Sequence, residues 1–501
     1  MAIDLPPAIP PQLATVEFAT RKAGQGSEHT ATVGNVGVTI YGNSLLSAEQ
    51  IDAALAEAGT PSQAVRNLNQ AYWEAGHLLV TLQYAVRDQA LVIGVTEGQL
   101  ADVIAPESIY PFFNGLIGDT NLTRDEFNDA RLLSNMKSQR AGYDINIRYH
   151  LEPNAPENVT LIMESEAQED HDDSGLTVTL GNPGNRFVGR YFGNVEYNHL
   201  FDTGAKLSLG WETAITGLSD SEDLNGGLDY NRYLVSIDQP TQLGFYGLSY
   251  NQTRFGSDNG GKDETLIVDI KATGEQMVIR TDRTRISVNQ AIGHIEDETA
   301  GTNTRDEQHT YLAAGASWLQ KLGNFSQFLA KVEVKAGVDG DNTTGNDSKF
   351  TLIKPQFSTK LALAGSLSAN LDVSGQLLED SQSVPRQQQW VLGGMAGLSA
   401  WLPGILVGDE GYFGRAALAW TPNTTGALRF AASVFYEYGQ AQDADGSTEA
   451  AISDAGVQGS LLYGNNSSLD LVVARPIEDD DIGTLSDALE ADFFFMARHR
   501  F

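Results

Sequence analysis

The sequence predicts a mainly β protein: a sixteen-stranded transmembrane antiparallel β-barrel preceded by two small α+β domains. Three observations predict it. Beyond residue 173 helical signatures stop and long segments alternate apolar and polar residues. Residues 34–168 hold two consecutive strand–helix–helix–strand–strand patterns, and the chain ends ADFFFMARHRF on an aromatic residue, Phe501. No apolar run of about 18 residues occurs, so no spanning helix is expected, whereas barrel strands cross a membrane by alternation.

At the front, residues 1–33 are Pro-rich and then polar, and read as a flexible tail or linker. The opening MAIDLPPAIPPQL has no basic region followed by an apolar core. It reads as a start codon on a mature sequence, not as a signal peptide. The first mixed domain is placed at 34–100: VGVTIYG (36–42) is a strand, and Ser47-x-x-Gln50 is a capping box opening AEQIDAALAEA. Thr60-Pro61-Ser62-Gln63 repeats the device with proline at the first helical position, after which Val65, Leu68 and Tyr72 share one helical face. TLQYAVR and ALVIGVTEG then form two strands around an Arg-Asp-Gln turn.

The second mixed domain is placed at 101–168. ADVIAPE is a strand, IYPFFNGL a short helix, and Thr123-x-x-Glu126 caps a longer helix through Met136. DINIRYHL (144–151) alternates with Ile145, Ile147, Tyr149 and Leu151 on one face, and NVTLIMESE (158–166) closes the unit before the acidic linker EAQEDHDD. An arbitrary α+β domain is the plain alternative.

From residue 173 to 501 about sixteen segments of roughly 10–14 residues alternate between Gly/Asp/Asn/Ser turns. In LSANLDVSGQLL, Leu367, Ala369, Leu371 and Val373 oppose Ser368, Asn370, Asp372 and Ser374. In LRFAASVFYEYG, Leu428, Phe430, Val434 and Tyr436 oppose Arg429, Ser433 and Glu437. Such lengths exceed the usual 5–6-residue strand of a soluble sandwich. An apolar outer face with charged residues inside is what a water-filled barrel in lipid requires. The rival, a soluble propeller, lacks its blade-length repeat.

Four patches, in order, resemble the outer-membrane transporters of two-partner secretion, the TpsB group within the POTRA-plus-barrel superfamily. WEAGHLLVTLQYAVRDQALVIGVTEGQL resembles the end of a first POTRA domain, and GNPGNRFVGRYFGNVEYNHLFDTGAKLSL the first barrel hairpin. LGGMAGLSAWLPGILVGDEGYFGRAAL resembles the long sixth extracellular loop and its following strand, and VFYEYGQ with LDLVVARPI the closing strands. The resemblance implies two POTRA domains, a sixteen-stranded barrel, and a loop at about 391–411 folded into the lumen. It implies residence in the outer membrane of a Gram-negative bacterium, with the POTRA domains in the periplasm. It also implies a secreted exoprotein client and outer-membrane lipid as partners.

The resemblance breaks at the loop tip. The family's Val-Arg-Gly-Tyr places hold Leu398, Ser399, Ala400 and Trp401, so Ser399 stands where arginine is expected. The customary acidic partner on the next wall strand is Glu437. A guanidinium on a carboxylate is a bidentate, charge-assisted bond that serine cannot replace. Glu437 then needs water or a lumen cation such as Arg415 or Arg429, with Asp409 a further lumen partner, while Trp401 can anchor the tip by packing. Client recognition is expected by strand addition at exposed POTRA edges, at Val38 and Ile40 in one domain and Ile145 and Ile147 in the other.

Composition excludes other classes. With 65 acidic against 32 basic residues the net charge is −33, which disfavours nucleic acid as a partner. There is no cysteine, hence no disulfide or thiolate metal site, and no H-E-x-x-H, G-x-S-x-G or P-loop. No catalytic residue and no cofactor is expected. DGDNTTGND (339–347) and EDHDD (169–173) offer carboxylates and carbonyls to calcium at surface loops, although neither has the EF-hand order. Solvated turns are the plain alternative.

Overall fold

The computed structural model describes residues 3–152, 155–169, 171–184, 189–215, 230–257, 263–281, 283–301, 304–323, 325–342, 348–379, 383–422, 426–446, 449–478, 482 and 489–501. The chain divides into two units. The continuous part of the first is Met1–His171, and the second comprises Asp172–Phe201, Lys206–Gln239 and Gly244–Phe501.

In the first unit, helices begin where the sequence supplies caps. The early elements are β1 (Gln12–Leu13), α1 (Val16–Ala19), β2 (Ser27–Val33), β3 (Val36–Asn43), α2 (Ala48–Ala56), α3 (Pro61–Glu74), β4 (Val80–Arg87) and β5 (Ala90–Glu97). Ser47 and Gln50 form a reciprocal capping box on α2. Thr60 caps α3, while Gln63 reaches back one residue further and accepts from the Gly59 N–H. Val65, Leu68 and Tyr72 are buried with Ile40, Leu82 and Ile93. The Tyr72 hydroxyl donates to Asn43 Oδ1 at 2.6 Å, and burial, with Glu97 a second cause, raises its pKa and keeps it a donor.

The remaining elements of this unit are β6 (Gln99–Ile104), α4 (Tyr110–Phe113), α5 (Arg124–Arg140), β7 (Tyr143–Glu152) and β8 (Ala155–Ala167). Thr123 and Glu126 form the capping box of α5. Phe113 and Phe127 pack 5.4 Å apart in a core with Leu100, Val159 and Leu161. The two sheets have the orders β1-β4-β5-β3-β2 and β6-β8-β7.

Two expectations are corrected here. Residues 3–33 are not a free tail. Ile3 and Ile9 are buried in the second core, the indole of Trp73 donates to the Pro6 carbonyl, β1 pairs in parallel with β4, and β2 pairs with β3. The prolines stiffen an extended backbone that carries a few apolar anchors, so a composition that looks flexible is packed. Gly94 belongs to the same contact: a Cβ there would meet the Ala19 carbonyl at 2.3 Å, so only glycine lets α1 lie so close to β5. The second correction concerns β3. It lies between β5 and β2 and is not an edge, and Val38 and Ile40 point into the core with about 1% exposure or less. Its ladder partner, SEHTATV, is a polar edge strand inside the stretch read as a tail. By contrast β7 is an edge, with Ile145 buried, Ile147 half-buried, and a single bridge from Ile3 on its open side.

The second unit is a closed barrel of sixteen antiparallel strands. They are β9 (Ser174–Gly181), β10 (Phe192–Leu200), β11 (Lys206–Ala214), β12 (Asn231–Thr241), β13 (Gly244–Ser257), β14 (Asp263–Arg280), β15 (Thr284–Ala300) and β16 (Arg305–Lys321). Then follow β17 (Gln327–Asn342), β18 (Thr351–Ala362), β19 (Leu367–Leu378), the short hairpin β20 (Trp390–Leu392) and β21 (Leu406–Gly408), and β22 (Glu410–Trp420). The last barrel strands are β23 (Leu428–Gln442), β24 (Glu449–Tyr463), β25 (Ser467–Glu478) and β26 (Phe494–Arg500), and β26 closes the ring on β9.

Alternation sets the two faces. Leu248, Ile292, Leu312, Leu418, Val434 and Val457 stay 48–59% exposed on the outside, while Glu437 between Tyr436 and Tyr438 is fully buried inside. Strands β14 to β17 run 16–18 residues, longer than expected. Their far ends, such as IEDETA and RDEQH, carry charge on both faces, so the ladder continues where the apolar pattern has ended. Near the opposite ends, at tight turns, aromatic rings touch on the outer face: Trp318 with Phe328, Phe328 with Phe357, and Trp420 with Phe430.

Candidate functional site

The segment between β19 and β22 folds back against the inner wall. It begins earlier than the expected 391–411, because an arm from Val384 to Gln389 precedes the hairpin of β20 and β21. Leu398 adopts φ +63°, unusual for a branched residue, and accepts a turn hydrogen bond from the Trp401 N–H at 3.1 Å. This turn aims two successive backbone N–H groups at the wall. The Ser399 N–H donates to Glu437 Oε2 at 2.7 Å, and the Ala400 N–H to Asp454 Oδ2 at 2.8 Å. Glu437 and Asp454 are directly paired across β23 and β24, and neither is exposed. Successive peptide N–H groups facing anions are an established anion-holding device.

The cation that the tip lacks is supplied by the wall. Arg415 of β22 is the cross-strand neighbour of Glu437, with Nη1 3.0 Å from Oε1. Its Nη2 donates to Gln458 at 2.8 Å, and its guanidinium lies 4.0 Å over the Phe435 ring. A charge-assisted hydrogen bond such as that from Arg415 to Gln458 is worth roughly 1.5–3 kcal/mol. The Ser399 hydroxyl takes no part: its one bond, 3.5 Å long, goes to the Met395 carbonyl.

Packing completes the attachment. Leu398, Ala400 and Trp401 are fully buried in a cluster with Phe413, Phe435, Ile452 and Phe494. Burial of a tryptophan of this sort is worth about 3–5 kcal/mol when probed by truncation. The segment before β26 adds a short ladder: Leu402 N–H donates to the Leu489 carbonyl, Ala491 N–H donates to the Ala400 carbonyl, both at 2.7 Å, and Trp401 bridges Glu490.

The arm is held differently. Val384 is buried among Ile295, Tyr311, Phe350 and Leu352. The Arg386 N–H donates to Glu307 at 3.2 Å and the Gln387 amide to Asp297 at 2.8 Å. The Gln388 side-chain amide meets His309 Nε2 at 3.0 Å and accepts from Lys335 Nζ at 3.2 Å. Asp409 ties the loop's ends together, accepting from the Val384 N–H at 3.1 Å and the Ala444 N–H at 3.0 Å.

Of the residues singled out in the sequence, Leu398, Ser399, Ala400, Trp401, Arg415 and Glu437 come together at the tip, and Asp409 sits at the loop base. Arg429 does not join them. It lies eight residues along β23 from Glu437, roughly 27 Å at strand spacing, and bonds to the Gly464 carbonyl. Sequence reasoning missed Asp454, although the alternation of β24 does place it inside, opposite Glu437. It also missed the arm, whose PRQQQ has no periodic signal. Part of each acidic stretch considered for calcium lies outside the described residues, namely 343–347 and 170. Among the described residues no group of three potential metal ligands is assembled.

No family model matches the sequence, and no curated protein matches it. Solved structures do. CdiB from Escherichia coli superposes with a TM-score of 0.69 at 13% identity, over 96% of this chain and 92% of that one. CdiB from Acinetobacter baumannii gives 0.63 at 15% identity, with the same coverages of 96% and 92%. BamA from Haemophilus ducreyi lacking POTRA domains 1–3 gives 0.55 at 12%, over 94% of this chain and all (100%) of that one. At these identities the likeness is one of fold: across nearly its whole length the chain shares the architecture of CdiB, and less closely that of the truncated BamA.

Proposed function

We propose that this chain is an outer-membrane transporter of the two-partner secretion type, passing a β-rich exoprotein through its barrel from periplasm to surface. The observation that carries the proposal is the inward loop. Its tip is fastened to the wall by non-covalent bonds and occupies space that a passing chain must use. The apolar outer face and the aromatic contacts at the turn end fit a lipid bilayer with an interfacial belt. The two mixed domains at 34–100 and 101–168 are taken as POTRA domains. Fold likeness to CdiB supports the reading.

Client capture is by strand addition. The open sides of β7 and of β2 offer peptide groups to an extended client segment, and β2 replaces the expected Val38 and Ile40 edge. The captured segment passes to the barrel, the loop releases, and folding of the client outside gives direction. No step requires catalysis, a nucleotide or a cofactor.

The test compares surface and medium proteomes of a strain lacking the gene with its parent. Loss of one large protein, restored on complementation, is expected. Unchanged export with altered membrane-protein assembly moves the chain to the second reading, a barrel-assembly factor, which the likeness to BamA favours. A silent conductance record under conditions that open transporters instead points to a plugged barrel that anchors a surface protein.

A further inference from the structure

Beside the loop, the barrel interior holds a cavity of about 570 Å³ along β14 to β19, bounded on one side by Trp390. Its charge is opposite in sense to the chain as a whole. Lys271, Lys331 and Lys354 line it against two carboxylates, Glu275 and Glu333. Lys335, which follows Glu333 on the inward face of β17, adds a fourth ammonium group held at Gln388, and Asp269, within electrostatic reach of Lys271 and Lys335, adds a third carboxylate. Four of the eleven lysines in a chain of net charge −33 therefore converge on one wall. Lys271, Lys335 and Lys354 lie within electrostatic reach of one another. Among the described residues none of the four forms an ion pair, whereas Arg305 and Arg254 nearby are paired with Asp297 and Glu264.

Clustered ammonium groups in a low-dielectric interior repel each other and attract anions strongly. The geometry points to a binding shelf for an acidic polypeptide segment, the carboxylate-rich part of a transported chain. This rests on the transport reading above. Peptide suits the cavity better than phosphate for two reasons. No arginine lines it, although arginine forks match phosphate best. Asn289 and Gln356 offer amides that pair with a peptide backbone, beside the flat ring of Trp390.

The experiment titrates the full-length protein in detergent with a short oligoglutamate peptide and follows tryptophan fluorescence. A saturable change is expected that disappears in Trp390→Phe and at about 1 M salt, where the screening length is about 3 Å. Combined Lys271→Gln, Lys331→Gln and Lys354→Gln is expected to weaken binding about tenfold or more. Lys331→Gln alone, at the most exposed of the three, is expected to weaken it about threefold. The inference is overturned if oligolysine or oligoglutamine gives the same change on the unaltered protein. It is equally overturned if the triple variant, still showing folded migration on unheated gels, binds as the parent does. Binding is read without export, so loss of the shelf and loss of the transport reading give different results.

Discussion

The tip and the arm of the inward loop are both fastened to the barrel wall, by opposite chemistries. At the tip the loop contributes backbone N–H groups and the wall contributes carboxyl and guanidinium side chains, Glu437, Asp454 and Arg415. At the arm the bonds depend on the loop's own side chains as well, with Gln387 and Gln388 reaching Asp297, His309 and Lys335. The difference teaches where sequence is constrained. A tip that donates peptide groups tolerates change at Ser399 but not at the wall, whereas the arm is sensitive to its own amides.

The largest expected effect is at the wall. Glu437→Ala removes the acceptor of the Ser399 N–H and the ion-pair partner of Arg415, which should cost about 3–5 kcal/mol, as for other broken buried pairs. Denaturation of the folded barrel, with protease cleavage of the loop as a second readout, measures it. An unchanged protein would mean that the carboxylate does not hold the tip. Next is Trp401→Ala, expected to cost about 3–4 kcal/mol by emptying the apolar cluster. Trp401→Phe should lose only about 1 kcal/mol, because the buried indole N–H has no partner among the described residues. Equal losses in both variants would show that the ring's volume is not what counts.

At the arm, Gln388→Ala is expected to cost about 1–2 kcal/mol, since it leaves His309 and Lys335 without their shared amide. A double variant with Glu437→Ala should be additive within about 0.5 kcal/mol if the two attachments are independent. Strong coupling would merge them into one device. The smallest effect is Ser399→Ala, under about 0.5 kcal/mol, because only a long bond to Met395 is lost. A release as large as that of Glu437→Ala would break the comparison.

Much of this architecture could be read from the residues, for reasons that differ between parts. The capping boxes at Ser47 and Thr123 and the period-two faces of β19 and β23 are local signals, and they place helices and strands well. What escaped is tertiary. The first residues look unstructured because their anchors, Ile3 and Ile9, are few and separated by prolines, and only the neighbouring core makes them useful. An edge strand as polar as β2 carries no hydrophobic face to announce it, so the sequence points to its neighbour β3 as the edge.

At the tip the missing arginine was visible, and so were Glu437 and Arg415 as charged residues on inward positions. Their joint use was not readable, because a peptide N–H is present at every residue but proline and leaves no trace in composition. Asp454 was within reach of the same alternation and needed only the pairing register of β23 with β24.

The short ladder from Ala400 and Leu402 to Leu489 and Ala491 also defines a load path. Ala491 stands three residues before β26, and only five residues of β26 pair with β9, against sixteen of β14 with β15. A pull on the loop tip is therefore handed to the strand that closes the ring, at a slender ladder. The loop is in mechanical terms a handle on the barrel's seam as well as on β23 and β24, which accept its two N–H groups.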